Sequence, residues 1–461
     1  MSRQRNDPSF DPTPEGPIGL TGEPRPRAEA LALVLAWSRT EPHRAGECVL
    51  LQEDPVLIGR GGPRSDDPHP RVALSQVRPG FTTACPSPHG PNLSRRHALI
   101  TPEGDRLRIE RLGKGALAVD GDPRDHFTLE AGQTLLMADE LLFVCERRLS
   151  ALPVPPLAQS TDFPFGAPDR FGLTGETAAT WRLRDQLRFV AGSGSPLLVT
   201  GPPGVGKELV ARAVHKASAA RERPFLMVGG ATLTRAELDA LTARTDAPFV
   251  VIDEVSEVPL EVQSFLARYI AHTLSLPLPR PRLVATMASQ QSGARSTSLR
   301  PDLGSRFVMT LHVPGLDERV ADIPLLARAL LLEIAAEQPE IAQRFFSTPT
   351  ERSPLGEPHL TACLIDRLVR HRWTAHTREL LAVLWAAMTS ATRAEIDATP
   401  EVQRQLTALD ESFSDPLALD ADTVRQALEA SHGKVVVAAR ALGLKNRWVL
   451  YRLMERLDIR P

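Results

Sequence analysis

The chain has only four cysteines, Cys48, Cys85, Cys145 and Cys363, and none stands in CxxC spacing. That excludes a thiolate zinc site and a disulfide framework, and it fits a reducing compartment. Charge of one sign is also lacking: 54 Lys and Arg stand against 56 Asp and Glu, for a net charge of −2. No global field draws the chain to nucleic acid or membrane, so any basic patch must be local. Long apolar runs are absent as well. The longest early one, Ala30 to Trp37, is far too short to span a bilayer, and the first residues are polar and Pro-rich. A cytoplasmic protein without a membrane segment is the expectation. Lysine is scarce, five among the 54 basic residues, which reflects base composition rather than function. What remains is an ordinary folded composition, 42% apolar over 461 residues, enough for about three domains.

Punctuation divides the chain. Residues 1–27 carry Pro, Gly and charge without periodicity and read as a disordered tail. From 28 to 149, short apolar runs separated by Gly, Pro and Asp predict a β-sandwich, interrupted by a Pro- and Asp-rich loop over 61–92. Residues 150–168 read as a linker. Strand and helix patterns then alternate over 169–316, as in a parallel sheet covered by helices, and 317–391 is helical. A polar, acidic connection over 392–418 leads to an all-α segment, 419–461. No internal repeat appears.

The chemistry concentrates at Gly201, Pro202, Pro203, Gly204, Val205, Gly206, Lys207 and Glu208. An apolar strand pattern enters this loop and a helical pattern leaves it. Glycines let backbone amides converge on phosphate, Lys207 reaches the β/γ oxygens, and the helix N-terminus adds favourable potential. The residues predict a nucleotide site. Glu208 stands where a metal-binding Ser or Thr is usual. Phe249 to Glu254 predicts a buried strand ending in two carboxylates, 46 positions after Lys207. Asp253 suits Mg²⁺ held through water, and Glu254 suits polarising an attacking water.

Gly175-Glu176, GKELVARAVH, Arg223-Pro224-Phe225, Asp253-Glu254 and Asp322 to Leu326 together resemble the AAA+ domain of sigma-54-dependent transcriptional activators, over about 170–390. Glu commonly follows the loop lysine in that family, which accounts for Glu208. The resemblance implies a homo-oligomeric ring ATPase using ATP and Mg²⁺, with sites shared between subunits. It assigns Arg300 and Arg306 as arginine fingers and Arg378 as the nucleotide-sensing arginine of the helical lid. Other family features are missing. Only 24 positions separate Gly229 from Asp253, and they contain no GAFTGA loop, the family's sigma-factor contact. Gly229 replaces its polar switch residue, and Met287 its sensor asparagine. Met has no amide to orient water. The metal carboxylate, general base and fingers survive, which argues for ATP binding; the departures leave hydrolysis open and argue against remodelling of sigma-54 RNA polymerase.

Leu57-Ile58-Gly59-Arg60 followed by Leu93-Ser94-Arg95-Arg96-His97 resembles the forkhead-associated (FHA) domain, a sandwich that binds phosphothreonine peptides. By that resemblance Arg60, Ser94 and Arg95 grip a phosphate of a partner protein, and His97 fixes the loop. Arg forks and a hydroxyl suit a near-dianionic phosphate. The family's Asn-Gly becomes Lys114-Gly115, so a docking domain without phosphopeptide selectivity stays open.

In the last segment, residues 422–461 hold eight basic and four acidic side chains, and Gly443 marks a turn between two helical patterns. The pattern resembles the Fis-type helix-turn-helix that closes many sigma-54 activators. It implies double-stranded DNA as partner, with Lys445, Asn446 and Arg447 at base edges and Tyr451 and Arg452 on phosphates or neighbouring bases. Taken together, the sequence predicts an FHA-like β-sandwich, an α/β AAA+ ATPase with a helical lid, and an all-α helix-turn-helix. The leading expectation is a transcription regulator. A non-hydrolysing ATP-gated DNA switch and a phosphothreonine-dependent scaffold are the alternatives.

Overall fold

A computed structural model describes residues 29–62, 65–154, 163–289, 299–351, 353–413 and 421–431, with single positions beyond these up to Ile459. Two antiparallel sheets form the N-terminal sandwich. The larger runs Phe81–Ala84, Ser75–Arg78, Cys48–Leu51, Glu29–Ser38, Leu141–Leu149, Thr134–Met137, Leu117–Val119 and Asp122–Pro123. The smaller runs His126–Glu130, Arg106–Arg111, Ala98–Glu103 and Val56–Ile58. Leu33, Leu35, Ile100, Leu107, Ile109 and Phe143 fill the space between them. Residues 61–92 are not the plain loop expected. They carry the hairpin Ser75–Arg78/Phe81–Ala84, which extends the large sheet through Cys48 and Ser75.

The strand Glu29–Ser38 is buried along almost its whole length. Successive strand residues face opposite ways, so an uninterrupted apolar run requires cover on both faces. Leu31, Leu33 and Leu35 point into the sandwich. Beyond a register shift between Leu35 and Trp37, Ala36 and Trp37 pack with Leu142 and Val144 against a helical bundle far along the chain. The Trp37 indole donates to the Leu360 carbonyl at 2.7 Å, and the Thr134 hydroxyl to Asp366 at 2.5 Å.

The central domain is a five-stranded parallel sheet in the order Phe225–Gly229, Phe249–Asp253, Arg282–Ala288, Leu197–Gly201, Met309–His312. Helices Ala178–Gly192 and Lys207–Ala217 pack with Leu197, Val199, Phe249 and Val284, while Arg235–Thr242 and Leu260–Ser275 pack with Val250, Ile252 and Ala285. Between Gly229 and Phe249 the chain makes one turn and the eight-residue helix Arg235–Thr242, opened by a Thr234–Glu237 capping box.

Helices Ile323–Glu337, Pro339–Phe345, Ala362–Arg370 and His376–Thr389 form the bundle. The stretch 392–418, expected as a connection, contributes a further helix, Pro400–Phe413, whose Val402 and Leu406 join the bundle core with Ile396. Among the described side chains Val402 and Leu406 make that attachment, and the acidic composition of the helix concealed it. Helix Ala421–Ala430 starts the last segment, where Val424 and Leu428 pack with Ala438, Leu450 and Met454. Lys445, Asn446, Arg447, Tyr451 and Arg452 lie outside the described residues.

Candidate nucleotide site

Strand Leu197–Gly201 ends in the glycine loop and helix Lys207–Ala217 begins there. Gly204 and Gly206 hold φ of 74° and 94°, a region that costs a side chain roughly 1–2 kcal/mol. Gly204 has a second constraint: a Cβ there would lie 2.0 Å from the Ala375 carbonyl oxygen of the helical bundle. The Arg378 amide donates to the Gly204 carbonyl at 3.2 Å. The loop and the bundle therefore meet backbone to backbone, leaving the exposed Arg378 side chain beside the loop. Glu208 is exposed on the first helical turn, with Pro203 outside and Val205 buried beneath.

Lys207 is buried, and its ammonium sits 2.9 Å from Glu254 Oε1 and 3.4 Å from the Gly201 and Pro202 carbonyl oxygens. Glu254 accepts the Ala288 amide at 2.8 Å through its other oxygen and has φ of 50°, a left-handed conformation seldom taken by a non-glycine residue. Thr286, fully buried, fixes both carboxylate residues. Its hydroxyl donates to Asp253 Oδ1 at 2.6 Å and accepts the Glu254 amide at 2.8 Å. A lone polar residue inside the apolar strand Arg282–Ala288 was the sequence signal for it.

Asp322 anchors the bundle to the sheet domain. It accepts the Glu176 and Thr177 amides at 2.7 and 3.0 Å and the Thr177 and Thr180 hydroxyls at 2.6 Å each. Glu379 fixes the turn that meets Gly204 by accepting the Thr374 and Ala375 amides at 2.8 and 2.9 Å and bonding the His371 ring at 2.9 Å. Burial pushes its carboxyl up, but the ring and the amides outweigh that and hold it at about 2. His376, with φ of 46°, turns the chain into its helix while its Nδ1 accepts the Leu316 amide at 3.1 Å.

The arginines Arg300 and Arg306 do not join the loop. Arg300 donates to Asp302 at 3.0 and 3.1 Å on the surface, and its amide to Gln263 Oε1 at 2.8 Å. Arg306 is exposed just before strand Met309–His312, at the sheet edge opposite the loop, four strand residues or roughly 13 Å away. Gly229 and Met287 lie at the ends of their strands beside the carboxylates.

On the sandwich, Arg60 and Arg95 are exposed, and the Arg60 amide donates to the Ser94 carbonyl at 3.1 Å, which joins their loops. The Ser94 hydroxyl accepts the Lys114 amide at 3.2 Å, and buried His97 accepts the Ser94 amide at 3.1 Å. Burial holds the His97 ring below its ordinary value. Arg71 and Arg96 both grip Asp67, at 2.5 and 2.8 Å, and Arg71 also donates to the Arg95 carbonyl at 2.6 Å. The 61–92 segment is thus fastened to the base of these loops.

The strand order, the glycine loop and the carboxylate pair define the class: a parallel α/β domain with a phosphate-loop site at the carboxyl ends of its strands. Within that class, residues 174–316 match the family described as the sigma-54 interaction domain, an AAA+ domain. The transcriptional regulatory protein GlrR of Escherichia coli (strain K12) is 28% identical over 310 residues, covering 60% of this chain and 66% of GlrR. ZraR of Klebsiella oxytoca, also a transcriptional regulatory protein, is 28% identical over 389 residues, 75% of this chain and 79% of ZraR. The anaerobic nitric oxide reductase transcription regulator NorR of Aeromonas salmonicida is 27% identical and covers 91% of both chains. Among solved structures, NtrX from Brucella abortus in complex with ADP is 26% identical with a TM-score of 0.41, covering 63% of this chain and 70% of that one. No helix among the described residues is long and apolar enough to cross a membrane.

Proposed function

We propose that this protein is a bacterial, cytoplasmic transcription regulator that binds ATP, assembles with copies of itself and docks on double-stranded DNA. The domains run as an FHA sandwich over 28–149, an AAA+ unit over 169–391 divided at 316, and a Fis-type helix-turn-helix over 419–461. The observation that carries this reading is the Lys207–Glu254 contact of 2.9 Å, which gathers cation, base and glycine loop at one sheet edge. ATP phosphates would draw Lys207 to themselves and release Glu254 to act on water. Arg378 would sense the γ-phosphate from the bundle, and Arg300 and Arg306, turned away from their own loop, would serve a neighbouring subunit.

The donors fit a hard cation: Asp253 is an oxygen ligand, half-exposed at a strand end and oriented by Thr286. Asp253 would hold Mg²⁺, which neutralises charge on the bridging phosphate oxygens when bound. Only a turn and an eight-residue helix precede strand Phe249–Asp253, which supports the reading that no GAFTGA loop is presented to sigma-54. Output would come from DNA occupancy and oligomer state, with Lys445, Asn446, Arg447, Tyr451 and Arg452 on DNA. Arg60, Ser94 and Arg95 would receive a phosphothreonine signal.

ATP turnover measured across protein concentrations tests the enzyme reading. Turnover should rise with concentration and vanish in Glu254→Ala and Arg306→Ala. Intact ATP binding without turnover would instead establish the non-hydrolysing switch, which the apolar Gly229 and Met287 favour. A phosphothreonine peptide that binds through Arg60, with no specific DNA site, would establish the scaffold.

A further inference from the structure

A cavity of about 200 Å³ lies where the sandwich meets the central domain. A cavity of about 150 Å³ accepts benzene, so this one has room for a small organic ion but not a nucleotide. Arg147 and Arg148 line it from the sandwich, and Arg182 and Arg319 from the other side. Arg319 is only 6% exposed, and its Nε has no hydrogen-bond partner among the described residues.

Asp322 and Glu318 attract Arg319 from a distance, but no carboxylate among the described residues forms an ion pair with it. Asp322 already accepts four donors from residues 176–180. Glu318 accepts the Gly315 amide at 2.9 Å and faces His312, and Glu146 pairs with Arg148 at 2.8 Å. Glu29 is exposed at the rim. A buried guanidinium without a paired anion is costly, and here burial outweighs the attraction of Asp322 and Glu318 and pulls Arg319 below its usual value.

The same wall contains a helix start. Thr177, Ala178 and Ala179 line the cavity at the N-terminus of the 15-residue helix Ala178–Gly192. Asp322 takes the Thr177 amide, but the Ala178 and Ala179 amides donate to nothing among the described residues. Free amides and the helix dipole favour negative charge there. We propose that this cavity binds a small dianion, a phosphate or a short dicarboxylate, between the Arg319 guanidinium and the start of helix Ala178–Gly192. The bound ion would bridge the sandwich, through Arg147 and Arg148, to the nucleotide-binding domain.

Isothermal titration of the full chain with orthophosphate, and separately with succinate, tests this and separates the two chemistries. The chain carries Lys207→Ala so that the glycine loop does not contribute. One of the anions should bind at one per chain. Affinity should fall about tenfold in Arg319→Gln, the loss of a charge-assisted hydrogen bond. It should fall severalfold in Arg182→Ala, an exposed position where folding is unaffected. Phosphate held at Arg60 and Arg95 would respond to neither change. Binding of neither anion, or equal affinity in Arg182→Ala and its parent, overturns the proposal.

Discussion

Arg78→Ala should separate the sandwich from the central domain more effectively than any other single truncation. Arg78 lies 2.6 Å from Glu176, with side-chain exposures of 6% and 2%. It also donates to the Phe163 and Pro164 carbonyls at 2.9 and 3.1 Å, and its guanidinium sits 4.5 Å from the Phe163 ring centre and 5.6 Å from that of Trp181. Glu176 accepts the Gly166 amide at 2.9 Å and the Trp181 indole at 3.1 Å. Removing one partner leaves the other charge buried, which typically costs about 3–5 kcal/mol. Arg78→Met with Glu176→Gln removes both charges and keeps volume, so this double variant should recover about 2 kcal/mol or more of the losses summed over the single variants Arg78→Met and Glu176→Gln. Urea melts followed by tryptophan fluorescence give the cycle, with Trp181 reporting on the contact itself. Single losses below about 1 kcal/mol, the range of an exposed pair, or strict additivity would show that the pair is not a buried, coupled contact.

Thr286→Val should keep ATP binding, read with a fluorescent nucleotide, while lowering any turnover by about a hundredfold, because the carboxylate pair loses its hydroxyl anchor. Gly204→Ala should weaken nucleotide affinity and loosen the bundle, read as protease sensitivity at its root, since no methyl fits beneath the Ala375 carbonyl. Glu379 predicts a pH effect. Its folded value of about 2 lies below the ordinary 4.5, so its stabilisation is complete above that ordinary value and is lost as pH falls toward 2. The gap in melting temperature between the parent and Glu379→Gln should therefore narrow from pH 7 to acid, and a constant gap would contradict the assignment.

The nucleotide site was legible because it is local. A strand, glycine loop and helix at fixed spacing identify themselves, and so does a strand ending in Asp253-Glu254. The supports of that site were less visible. Thr286 acts through hydrogen bonds made only when two separate strands meet, and Glu379 through a local turn closed on His371, Thr374 and Ala375 whose shape the residue pattern alone does not give. Helix Pro400–Phe413 was hidden by its acidic composition, although Val402 and Leu406 pack it into the bundle. The hairpin within 61–92 was masked by the Pro and Asp around it. The unbroken apolar run of Glu29–Ser38 was a missed clue, because an antiparallel strand with one wet face would alternate.

That strand belongs to two hydrophobic cores at once, which limits how this chain can be cut. Excising the sandwich would strip Ala36, Trp37, Leu142 and Val144 from the bundle and leave an apolar face on each fragment. Such faces favour self-association in isolated pieces. The sandwich therefore cannot be exchanged for another domain by splicing at the 150–168 segment alone. A graft would have to reproduce the outer face of its large sheet, so the sandwich and the helical bundle it covers are constrained to change together.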